Sequence, residues 1–184
     1  LEGLVRDILE NGKTEGTIQT LLDPLQSCSK ELVSKEWTDS LEHKNFKMQV
    51  EQSAVELWNL AVAKKTGGPL SGVLNAKLRQ VSCQLVCACN NHNADDAVFK
   101  KQMMMALKTA RAWLDAGNPS MAHDPLSIAS NCIQTLRTRL IKRTEIEGEN
   151  ELLSKQKSDL EKDFFKFTCY KAESVSTIDT WIYS

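Results

Sequence analysis

Cys83-x3-Cys87-x-Cys89-x2-His92 is the densest grouping of metal-ligand residue types in the chain. Zinc requires four tetrahedral nitrogen or sulfur ligands, usually brought together as two pairs from different segments. On a single helix Cys83 and Cys87 share a face, but Cys89 is turned about 200° from Cys87 at 3.6 residues per turn. No second cysteine pair follows at finger-like spacing. Thiols buried as small hydrophobes account for the cluster better than a metal does, and no metal ligand is assigned. Gly12-Lys13-Thr14 has the ending of a phosphate-binding loop. The glycine that motif needs five positions before Gly12 is replaced by Asp7, whose carboxylate would repel phosphate.

Catalytic arrangements are no better supplied. His43, His92 and His123 lie in polar surroundings, with no neighbouring serine or cysteine motif that would make an activated nucleophile. Asp95-Asp96 suits the positive start of a helix more simply than an acid/base pair. No catalytic residue and no cofactor-binding residue is assigned, and none of these features supports an enzyme or a small-molecule substrate.

Two runs point to surfaces instead. Met103-Met104-Met105 faces three directions about 100° apart on a helix, so the three cannot share one core. Met103 is expected to pack inward, with Met104 or Met105 free to reach a neighbour through an adaptable thioether. The basic residues Arg137, Arg139, Lys142 and Arg143 lack interleaved aromatics and are followed by Glu145, Glu147, Glu149 and Glu151. Neutralising a phosphate backbone takes a broader basic face, so a solvated helix end is expected and no direct nucleic-acid contact.

The elements that must position these residues read as helices throughout. The chain has 184 residues, 41% of them hydrophobic, with a net charge of −1, eight Gly and four Pro. That suffices for a core, favours long helices over a turn-rich β fold, and supplies no bulk field toward nucleic acid or anionic membrane. No apolar run approaches the roughly 18 residues of a membrane span. The six Cys are not spread as a disulfide framework, and Asn118-Pro119-Ser120 is blocked as a glycosylation acceptor by its Pro. A reducing compartment is expected. The chain starts at Leu1 without a basic-then-apolar leader, which suggests that the natural start is missing.

Short amphipathic helices are expected over 1–11 and 17–33, with Pro24 beginning or kinking the second. Thr38 or Asp39 could cap a helix to about Lys65, carrying Val50, Ala54, Leu57, Trp58 and Ala61 as one stripe. Thr66-Gly67-Gly68-Pro69 breaks the chain. The next helix carries Leu74, Leu78, Val81, Leu85 and Ala88 and fades at 90–93. The following one carries Phe99, Met103, Ala106, Leu107, Ala110, Trp113 and Leu114. A helix from about Pro119 to Arg143 offers Ala129, Ile133, Leu136 and Leu140; a start nearer Asp124 would place Pro125 in the first turn, where proline is tolerated. Lys142 and Arg143 would end it, 145–150 would be a polar loop, and a last helix from Glu151 carries Leu153, Leu160, Phe164, Phe167 and Ala172.

Ala112-Trp113-Leu114-Asp115-Ala116-Gly117-Asn118 reads as a helix end and a stop. Ala122-x3-Leu126-x2-Ala129 then gives a small–large–small face that lets helices approach closely, as in the second helix of a tetratricopeptide (TPR) unit. The interval between Trp58 and Trp113 exceeds the TPR period of about 34 residues, so the array is irregular. The expected fold is all-α, with irregular TPR-like helical hairpins forming the start of an α-solenoid: residues 1–36 as short, capping helices and 37–184 as a helical array incomplete at its C-terminus.

Val55-Glu56-Leu57-Trp58-Asn59, Lys77-Leu78-Arg79-Gln80-Val81-Ser82-Cys83 and Ala112 to Asn118 together resemble the meiosis-specific TPR scaffold family, of the testis-expressed-protein-eleven and Zip-four/Spo-twenty-two type. The resemblance runs from about Glu51 to Ser174, with Tyr170-Lys171-Ala172-Glu173-Ser174 similar to the opening of a further repeat. It implies an N-terminal fragment of a large α-solenoid scaffold, nuclear and chromosome-associated. Such a scaffold supports synapsis and crossover recombination by recruiting crossover factors and synaptonemal complex components. The family brings no catalytic residue, and no partner-binding residue can be carried over. A generic TPR-like helical adaptor in the cytosol is the alternative expectation.

Overall fold

The computed structural model of the chain describes residues 15–33, 40–63, 72–89 and 94–182, together with Gly3 and Ile8. Among these residues the secondary structure is helical: α1 (Glu15–Val33), α2 (Leu41–Ala63), α3 (Gly72–Ala88), α4 (Asp96–Asp115), a 3₁₀ turn (Pro119–Ala122), α5 (His123–Glu147) and α6 (Glu151–Ile182). The expected all-α class of packed helical hairpins is what forms. The chain divides into two compact units, residues 1–93 and 94–184. The expectations for residues 1–11, the Thr38 or Asp39 cap, Lys65, the 66–69 break and the 90–93 fade lie outside the described residues.

In the first unit α3 packs against both α1 and α2. Flanked on two sides, α3 buries Leu78, Val81 and Leu85 and also Asn75, Arg79, Gln80, Ser82 and Cys83. Its buried polar groups are therefore hydrogen-bonded, as a dry environment demands. Asn75 Nδ2 donates to the Ala61 carbonyl at 2.6 Å, and Arg79 Nε donates to Asn75 Oδ1 at 2.8 Å. The Arg79 guanidinium also lies 5.3 Å from the Trp58 ring centroid, a cation–π contact that softens burial of the charge. Lys77 bonding Gln19 and Ser29 bonding Gln84 fix α1 and α3 side by side and parallel. The α2 stripe is Val50, Ala54, Leu57, Trp58 and Ala61, all buried as its spacing predicts.

Ser40 caps α2, its Oγ accepting the His43 N–H at 3.3 Å, which satisfies one of the orphan donors at a helix start. α1, expected over 17–33, spans Glu15–Val33, and Pro24 lies exposed inside it rather than at its start.

In the second unit α4 and α5 form an antiparallel hairpin, and α6 packs on α5, on α4 and on the 3₁₀ turn. Asp95 caps α4, accepting the Val98 N–H at 2.9 Å. The helix ends at Gly117, whose φ of +70° suits a residue without Cβ. The Gly117 N–H bonds the Leu114 carbonyl and the Asn118 N–H bonds that of Trp113, both at 3.0 Å. This paired closure is the Schellman motif, which satisfies carbonyls left over at the helix end. Ala122, Leu126 and Ala129 are buried, as the small–large–small reading requires.

α5 starts at His123 after the 3₁₀ turn, so Pro125 lies in its first turn, where its missing N–H has no helical partner to lose. It does not stop at Arg143. It continues through Glu147 to Gly148, whose φ is +76°. The connection to α6 is therefore residues 148–150, and Glu145, Ile146 and Glu147 are helical rather than loop. Asn150 Oδ1 caps α6 through the Leu153 N–H. On α6 Leu153 and Leu160 are buried, Phe164 and Phe167 are half-buried, and Ala172 is exposed, outside the core stripe expected of it.

A candidate protein-binding groove between two helices

The residue types singled out for chemistry are placed as follows among the described residues. Cys83 and Cys89 are buried and Cys87 is half-buried, while His92 lies outside the described residues. Among the described residues no group of three or more His, Cys, Asp or Glu is placed to hold a metal ion. Cys132, also buried, donates to Gln102 Oε1 at 3.8 Å across α4 and α5. His43 is half-buried on α2, and His123 is exposed at the start of α5, 3.7 Å from Asp124. Asp7 and Gly12-Lys13-Thr14 lie outside the described residues.

The methionines divide by the packing of α4, which meets both α5 and α6. Met103 and Met105 are buried and Met104 is 44% exposed. Of the three, Met104 alone is available to a neighbour; Met105 is core.

The basic run of α5 departs most from expectation. Three of its four cations are held by other helices rather than solvated at a helix end. Arg137 Nη2 donates to both carboxylate oxygens of Glu161 on α6, at 2.8 and 3.0 Å, and its guanidinium stacks 4.0 Å from the Phe164 ring. Arg139 donates to the Ala94 carbonyl at 2.7 Å and to Asp96 at 3.1 Å, and lies over Phe99 at 4.8 Å. Arg143 pairs with the second oxygen of Asp96. Asp96, in the first turn of α4, thus gathers two guanidinium groups as well as the positive end of a helix dipole. Near the other end of α4, Arg111 bridges Asp115 and Glu173 and lies over the Tyr170 ring. The hydrogen bond to Asp115, ahead of the charges around it, raises the Arg111 pKa above its already high ordinary value.

Arg137 ties α5 to α6, and a groove of about 440 Å³ lies between these two helices. Leu140 and Leu160 form its floor, Ile141 and Thr144 its wall, and Arg137, Glu161, Lys157 and Glu145 its charged rim. Thr144 Oγ1 is turned back onto the Leu140 carbonyl at 2.9 Å, so its donor is already engaged. Ile141 is 58% exposed, a large aliphatic side chain left at the mouth. A concave apolar strip with a polar rim is the geometry into which an amphipathic helix or an extended peptide docks. The sequence holds a trace of this site: Arg137, Ile141 and Glu145 recur at steps of four, as do Lys157 and Glu161, so each set shares a helix face.

The fold and groove define the molecule as an all-α protein of packed helical hairpins. No protein-family model matches the chain, and no solved structure matches it. No helix among the described residues is long and apolar enough to cross a membrane.

Proposed function

We propose that this protein is a non-enzymatic protein-interaction scaffold, an irregular TPR-like α-solenoid segment that supports meiotic chromosome synapsis and crossover recombination. The observation that carries the binding role is the groove between α5 and α6, apolar on its floor and charged at its rim. The meiotic setting rests on the resemblance of the segments around Trp58, Cys83 and Trp113. The partners are proteins, crossover factors and synaptonemal complex components, met in the nucleus on chromosomes. No cofactor, nucleic-acid contact or membrane contact is part of this reading.

Helical hairpins suit such a role because each buries its apolar face only against a neighbour, so an array presents long continuous surfaces. The burial of Ala122, Ala129 and Trp113 supports that packing mode. Co-precipitation from meiotic cells tests the reading: recovery of a crossover or synapsis component supports it, and recovery of none ends it. The same groove would serve a cytosolic adaptor, which broad somatic expression would favour and expression confined to meiotic germ cells would oppose.

A further inference from the structure

We draw no further inference here: the strongest candidate, the exposed apolar stripe of Leu41, Met48 and Val62 along α2, carries none because nothing in the structure shows what covers it.

Discussion

The Arg137 guanidinium lies 4.0 Å from the centroid of the Phe164 ring. The same cation reaches Glu161 one turn earlier on α6, so a single side chain fixes the spacing of the two helices that form the groove. An arginine suits this place because its planar group can stack and pair at once, which an ammonium cannot. Arg137→Lys is therefore not conservative. It is expected to cost about 1 kcal/mol, mostly through the lost stacking. Glu161→Gln is expected to cost less than about 0.5 kcal/mol, since both partners are more than a third exposed and solvent screens the pair. Urea denaturation of each variant checks the order; a larger loss for Glu161→Gln would contradict it.

Asp96 joins Arg139 and Arg143 to the start of α4, whereas Asp95 holds only a backbone N–H. Asp95→Ala is expected to cost about 1 kcal/mol, the usual value of a helix cap. Asp96→Ala is expected to cost about 2 kcal/mol, because it takes the shared carboxylate from two half-buried guanidinium groups, although Arg139 keeps the Ala94 carbonyl and the Phe99 ring. Chemical denaturation gives both values. Equal losses would mean that the arginines find other partners or water.

Gly117 carries the turn between α4 and the 3₁₀ segment at φ +70°, and nothing lies within 4 Å of where a Cβ would stand. The penalty of substitution is thus purely conformational. Gly117→Ala is expected to lower stability by about 1 kcal/mol, with Gly117→Asn milder because Asn tolerates the left-handed region better. A thermal melt that left Gly117→Ala unchanged would show that the turn can close another way.

Asp159 shows the sign of the surface pairing on α6. A hydrogen bond from Lys162, then the charge of that ammonium, holds its carboxyl below the ordinary aspartate value. A carboxyl with a lowered folded pKa contributes stability above its unfolded pKa, and that contribution is lost as pH falls through the lowered value. The side chain is exposed, so the effect belongs to titration rather than to measurable stability. Carboxyl-detected NMR should show Asp159 titrating below the ordinary aspartate value of about 3.9, and Lys162→Met should return it. An unshifted Asp159 in the parent protein would be the opposite outcome.

The sequence was most legible where one face of one helix decides the matter. Val50 to Ala61, Leu74 to Ala88 and Ala122 to Ala129 lie buried where a period near 3.6 places them. Gly117 announced its turn because few other residues accept that φ. What periodicity cannot supply is the identity of a partner across helices. Arg137, Arg139 and Arg143 read as a solvated end because their acceptors, Glu161 and Asp96, are remote in sequence. Met105 was unplaced for a related reason: α4 meets two neighbours, so two faces are buried rather than one. The end of α5 was misplaced because Glu145 and Glu147 oppose the helix dipole, and the stop comes only at Gly148. That conflict between local preference and fold falls at the mouth of the candidate groove, which no motif had marked.

The proposed function has the protein hold meiotic partners in the groove between α5 and α6. Its most direct test is co-precipitation from meiotic cells with the parent chain and with Ile141→Asp, which places a carboxylate at the exposed apolar mouth. Crossover or synaptonemal complex components should be recovered with the parent chain and lost with the folded variant. Recovery of none with the parent chain, or equal recovery with both, would contradict the account.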